Sequence, residues 1–280
     1  MQNSHTQDKN AWLRTCHRYV AFIDIMGFKK LLEQRNSDFI YGMMMRIREE
    51  VIDDNNQIIN PQKNSDGTET VPILMNSRPN RNMYVEVNSD TDEKITGRKS
   101  EFIKIAMFSD SIIFYTKDNS KISKRLFEMS LKSLQRVFFD ESIPFKGAVA
   151  KGELTADDVN SIYFGQPIVD TFYLQESALF YGIVAHSSFD VDSSIDILKR
   201  AAYPIVCPFK VIDSDGVIFR MENCMTINTL DLMDLNFDNL LASIEKLRVG
   251  IPPNKMHYID NTIKFQRDCR DFMLKELRKY

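Results

Sequence analysis

Residues 102–115, FIKIAMFSDSIIFY, constrain the fold more than any other stretch of this chain. Two apolar runs flank Ser109-Asp110, the pattern of a tight hairpin with a polar tip. Residues 19–25 (YVAFIDI) form a second short run rich in β-branched and aromatic residues, read as a buried strand that Gly27 breaks. A helical stretch follows from Phe28, and another covers residues 38–51, where Met43, Ile47 and Val51 recur at helical spacing and Met43-Met44-Met45 serve as core filler. Residues 121–139 predict an amphipathic helix with Phe127, Leu131, Leu134 and Val137 as its apolar stripe. Residues 144–152 (PFKGAVAKG) read as a strand and residues 162–164 as a short extended piece. Gly165 then leads into a helix over residues 167–179, its proline suited to the first turn. The order strand, helices, hairpin, helix, strand is the βαββαβ pattern of a ferredoxin-like palm, an α/β (α+β) fold.

The remainder decorates that pattern. Residues 182–185 predict a strand, and residues 203–211 and 217–219 a late hairpin turned at Ser214-Asp215-Gly216. From about Asn239 the chain reads as mostly helical, interrupted at Pro252-Pro253. Residues 52–100 are polar and rich in Asn, Asp, Gly and Pro, with two apolar islands at 71–75 and 83–87, which suggests a surface insertion carrying one hairpin. No internal repeat is visible.

Composition excludes several classes. With 280 residues, 43% hydrophobic and 27% charged, the chain has the makings of one large folded domain or of a domain plus a helical extension. A net charge of -3 and a pI near 5.9 argue against a nucleic-acid partner. Cys16, Cys207, Cys224 and Cys269 show no metal-ligand spacing and no secreted disulfide pattern, so they read as reduced thiols. The polar start MQNSHTQDKN lacks a signal-peptide core, and no apolar run reaches the ~20 residues of a membrane span. The expectation is a soluble, cytoplasmic protein.

The chemistry is carried by two acids. Asp24 sits near the end of an apolar strand, where a carboxylate is costly to bury unless it is paired or bound to a metal. Asp110 sits at the hairpin tip. Taken singly, Asp24 reads equally well as a helix cap and Asp110 as a turn residue. In a palm the first strand and the hairpin are central neighbours, so the two carboxylates converge into a hard-oxygen site suited to Mg²⁺ and substrate phosphates. Lys29, Lys30, Lys104, Lys146 and Lys151 are candidates to meet a triphosphate, although a lysine is usually solvent-exposed. His5, His17, His186 and His257 are scattered and suggest no zinc site. There is no P-loop, no G-x-G-x-x-G and no nucleophile elbow.

The segment FIDIMGF resembles the first metal-binding motif of the class III nucleotidyl cyclases. FSDSIIFY resembles their second metal-bearing hairpin, KGAVAKG the following strand, and YFGQPIVDTFYLQESA a later glycine-to-helix segment. The resemblance runs from about Tyr19 to Ala185. It implies attack of a 3′-hydroxyl on the α-phosphate of a nucleoside triphosphate. Two Mg²⁺ or Mn²⁺ ions would sit on Asp24 and Asp110 with help from the Ile25 carbonyl, and the active sites would lie at a homodimer interface. Lys146 takes the place where relatives often carry an arginine, as a phosphate or transition-state contact. The base-reading position of the family falls on Ala106, the second on Ile162 or Tyr163, the ribose-orienting Asn on Val169 and the transition-state Arg on Tyr173.

Retained metal acids without the purine readers resemble the bacterial pyrimidine cyclases of anti-phage signalling (Pycsar). The substrate would then be CTP or UTP, the product cCMP or cUMP, and the target a separate cyclic-nucleotide-activated effector. Tyr163 or Tyr173 would contact the pyrimidine ring. On this reading residues 1–15 are a flexible tail, 16–220 the catalytic domain with its insertion at about 52–100, and 221–280 a C-terminal helical extension used for packing or dimerisation. Two alternatives stay open: a purine or diguanylate-type cyclase on the same palm, and a catalytically inactive interaction module.

Overall fold

A computed structural model describes residues 12–52, 62–63, 69–73, 83–87, 99–189, 206–212, 218–225, 237–249 and 251–277. Strand β1 (Thr15–Ile25) is an inner strand of the main sheet, paired on both sides. It is followed by helices α1 (Phe28–Gln34) and α2 (Ser37–Ile52). After the insertion come the hairpin β5 (Ile103–Phe108) and β6 (Ser111–Thr116), helix α3 (Lys121–Asp140) and the long strand β7 (Phe145–Asp157). These strands lie in the order β7-β1-β6-β5, every neighbouring pair antiparallel. Numbered within the βαββαβ unit that is 4-1-3-2, so strand order and register themselves establish the palm.

The sheet grows beyond the palm on the β7 side. Strand β8 (Ile162–Phe164) pairs with the far end of β7, and helix α4 (Gln166–Ser177) returns along β7 and β1. Strand β9 (Gly182–Ala185) runs parallel to β7, followed outward by β11 (Ile218–Met225) and β10 (Val206–Ile212). The late hairpin thus exists with shifted bounds, and its expected turn at 214–216 lies outside the described residues. Its register sets Cys207 opposite Cys224, two residues that their sequence spacing does not relate. In the insertion, β2 (Gln62–Lys63), β3 (Glu69–Ile73) and β4 (Met83–Val87) form a separate sheet, one strand more than the hairpin read from sequence.

Alternation along β1 divides its side chains between two layers. Tyr19, Ala21, Ile23 and Ile25 join Met43, Ile47 and Val51 of α2 and Phe127, Leu131, Leu134 and Val137 of α3 in the main core. Both helical stripes read from sequence are therefore buried as expected. Val20, Phe22 and Asp24 face the other way, towards α4, where the Phe22 and Phe172 rings meet edge to face at 5.6 Å.

Strand β7 continues five residues past Gly152, where the sequence suggests an end. Gly152 pairs with Arg18, and its missing side chain lets Pro167 of α4 sit where a Cβ would be only 3.1 Å from it. The C-terminal helices α5 (Phe237–Lys246) and α6 (Met256–Leu277) share the interior with the palm. Ile244, Leu247, Ile259 and Ile263 belong to the main core, and Phe265 and Cys269 pack with Phe180 and Val184. The sequence boundary at 220/221 falls inside β11. Among the described residues no helix is long and apolar enough to cross a membrane.

Candidate active site

The site lies where β1 ends. A left-handed turn is needed for the chain to leave the sheet and enter α1, and Gly27 supplies it with φ 74° as the helix N-cap. The cap is Gly27 and no side chain caps α1, so Asp24 does not serve as a helix cap. Its Cα has two direct cross-strand partners, Ser111 on β6 and Lys146 on β7. Side chains so paired have Cβ atoms about 5 Å apart on one face.

Asp110 is brought in by the turn. Ser109 takes a φ of 56°, which closes the two-residue loop between Phe108 and Ser111. The Ile25 N–H then donates to the Asp110 carbonyl at 2.9 Å, and the Met26 N–H to the Pro144 carbonyl at 2.8 Å. These bonds fix the hairpin tip and the start of β7 to the end of β1. Asp110 is a turn residue, and it also stands beside Asp24.

Electrostatics follow from that closeness. Burial pushes the Asp24 carboxyl above its usual range, Asp110 and Glu176 push the same way, and Lys146 opposes them. Lys146 is 4% exposed. Burial lowers its pKa, while Glu176 and Asp24 hold its proton on. Its Nζ donates to the Glu176 carbonyl at 3.3 Å and lies 5.7 Å from the centre of the Tyr258 ring. A buried ammonium and a buried carboxylate that perturb each other's protonation mark a functional-site candidate.

Asp24, Ile25, Asp110 and Lys146 are thus brought together. Glu176, Lys255 and Tyr258 join them unforeseen. Glu176 ends α4, and Lys255 and Tyr258 come from the C-terminal segment, so no local motif marks them. Among the described residues no three His, Cys, Asp or Glu side chains gather closely enough to hold an ion by themselves. Asp110 and Glu176 both add negative field at Asp24.

The other predicted residues spread along the same face. Ala106 pairs with Ile113, which pairs with Phe22, and this puts it about 12 Å from Asp24 by sheet spacing. Tyr173 lies on α4, 69% exposed, its ring 5.6 Å from that of Phe172 and one helical turn before Glu176. Tyr163 is not near the acids. It pairs with Ala156, ten residues along β7 from Lys146, or roughly 30 Å at strand rise.

At that far end the Tyr163 hydroxyl donates to Asp158 at 3.2 Å, and Tyr115 and Lys104 contact the same carboxylate. Lys104 is engaged there rather than at the acids. Lys151 pairs with Tyr19 and so faces the main core layer. Lys29 and Lys30 are exposed on α1.

No protein-family model matches the chain, and no curated protein matches it. Among solved structures it is similar to the catalytic core of a rhodopsin-guanylyl cyclase with converted specificity in complex with ATPαS. The match has 8% identity and a TM-score of 0.43, covering 76% of this chain and 100% of that one. The assignment of the palm rests on the 4-1-3-2 strand order and its register, which stand without that likeness.

Proposed function

We propose that the protein is a metal-dependent nucleotidyl cyclase that converts a pyrimidine nucleoside triphosphate, CTP or UTP, to the 3′,5′-cyclic monophosphate and pyrophosphate. The observation that carries this reading is the convergence of Asp24, the hairpin tip with Asp110 and the buried Lys146 at one end of the palm. A fold alone would not supply it, since palms host several chemistries.

The donor set fits a hard divalent cation. It is all oxygen, and burial and mutual repulsion disfavour the ionised form of Asp24, a penalty that a bound cation relieves. Asp24, Asp110 and the Ile25 carbonyl would hold two Mg²⁺ or Mn²⁺ ions, leaving further positions to water and phosphate oxygens. Bound there, such ions lower the pKa of an attacking hydroxyl and neutralise charge on a leaving pyrophosphate.

The chain's own groups do the rest. Lys146 sets a fixed positive charge beside the α-phosphoryl oxygens. The 3′-oxygen bonds to the α-phosphorus as the bridge to the β-phosphate breaks, and its proton passes to solvent. Ala106 has no side chain beyond Cβ to read a base where a purine reader would stand, and Tyr173 is an exposed aromatic ring on α4, one turn before Glu176. Tyr163 stands about 30 Å from the acids of its own chain, so a role for it at a base requires the shared-site homodimer that the motif resemblance implies. The anti-phage setting and a separate effector for cCMP or cUMP follow from the resemblance of the motifs.

The test is incubation with ATP, GTP, CTP and UTP separately, with Mn²⁺ or Mg²⁺, beside an Asp110→Asn control, with products read by mass. A cyclic pyrimidine monophosphate that vanishes in the control supports the proposal. A purine product keeps the mechanism and overturns the base assignment. No product from any of the four favours an inactive module.

A further inference from the structure

A concavity lies at the same end of the sheet as the acid site but behind it, on the helical side. It encloses about 850 Å³ between α1, α2, the end of α3 and the segment joining α5 to α6. That is within the range of small-molecule sites. Neither Asp24 nor Lys146 lines it, while Ile25 and Lys255 border both this cavity and the acid site.

Its lining is segregated by depth. The buried floor is Ile25, Met43, Val137, Ile143 and Leu247, with Tyr181 as the one polar-tipped member. Charge appears only at the exposed rim. There Lys30, Arg35, Arg46, Lys246 and Lys255 stand against two carboxylates, Asp38 and Glu141. Arg46 and Glu141 pair with each other, so the rim keeps an excess of positive charge.

We propose that this cavity binds a free long-chain carboxylate, its aliphatic body on the floor and its head group among the rim cations. The floor decides between ligand classes. A nucleobase would lay several donors and acceptors against aliphatic walls and leave them unpaired, which is strongly unfavourable. An alkyl chain has none to satisfy. A neutral amphiphile would gain nothing from Arg35, Lys246 and Lys255, whereas a carboxylate meets them at the water boundary, where an ion need not be desolvated. The inference concerns binding alone and stands whether or not the opposite face is a cyclase.

Gly42 provides the test. It lines the cavity from α2, and a Cβ built on it meets nothing within 4 Å. Replacing a helical glycine also favours the helix, so Gly42→Phe should fill the space without unfolding the chain. The probe is cis-parinaric acid, read by fluorescence below its critical micelle concentration and displaced by palmitate.

The expected result is saturable binding of one probe per chain. Gly42→Phe and the rim variant Arg35→Glu/Lys246→Glu should each weaken it at least ten-fold, with circular dichroism and melting unchanged. If Gly42→Phe does not fold, Gly42→Leu and the rim variant decide. The proposal is overturned by absence of saturable binding, by uptake only in the presence of phospholipid vesicles, by 1-hexadecanol competing as well as palmitate, by CMP displacing the probe, or by folded variants that bind as the parent does.

Discussion

Asp24 and Lys146 face each other directly across β1 and β7, and Lys146 is almost wholly buried there. The pair is unequal. Lys146 also answers to Glu176, while Asp24 also bears the repulsion of Asp110. Removing Asp24 is therefore expected to have opposite consequences for stability and for function.

Asp24 has its carboxyl raised above the unfolded value, first by burial and then by Asp110. A raised acid prefers its neutral form in the folded state, so at neutral pH its charge subtracts from stability. The loss shrinks as pH falls through the folded value and is gone below the unfolded value of about 3.9. Metal-free Asp24→Asn should accordingly melt at or above the parent at pH 7. Added Mn²⁺ should raise the melting temperature of the parent and leave that of the variant unchanged. A parent that Mn²⁺ does not stabilise would remove the metal assignment without reference to activity.

Asp110→Asn and Lys146→Met should each lower product formation by orders of magnitude under saturating nucleotide. If Tyr163 acts across a dimer, two defects on different chains complement. A mixture of Asp24→Asn and Tyr163→Ala proteins should then form some sites with both groups intact and recover the parent's base preference, read by mass of the cyclic products. A mixture that behaves as the sum of its parts counts against a shared site.

Gly147 faces Ile23 in the register of β7 and β1. A Cβ on it would come within 2.2 Å of the Ile23 Cδ1 and 3.2 Å of the Phe22 carbonyl oxygen. Gly147→Ala should destabilise by about 1–3 kcal/mol, the usual range for overpacking a core. Ile23→Val in the same chain should return part of that. Denaturant midpoints measure both, and additive losses would refute the contact.

At the far end of the face, burial works to raise the Asp158 carboxyl, but bonds from Lys104, Tyr115 and Tyr163 outweigh it and hold it below the usual range. A lowered acid adds stability above its unfolded value of about 3.9 and loses it as pH falls through the folded value. Asp158→Asn should therefore melt below the parent at pH 7, and the gap should close on acidification below pH ~4. A gap that is constant with pH would mean the effect is packing rather than charge.

The outcomes along the chain differ by the range of the interactions involved. Period-two and period-3.6 patterns specify local conformation and which face is apolar. The FSDS hairpin, the stripes of α2 and α3 and the strand carrying Asp24 were therefore legible in residues 19–185. Order βαββαβ also limits the ways such pieces pack, which makes the central position of β1 beside the hairpin readable before any coordinates.

Sequence by itself thus determined the palm, its helical faces and the nearness of Asp24 to the hairpin tip that carries Asp110. Tertiary structure alone decided the surroundings. Glu176, Lys255 and Tyr258 reach Lys146 from segments 30 and more than 100 residues away, and that closeness depends on how α4 and α6 lie against the sheet. It also separated Tyr163 from the acids, since the 13-residue length of β7 depends on its pairing with β1 rather than on its own composition. Local pattern encodes what a residue is beside in sequence; burial and long-range pairing encode what it is beside in space.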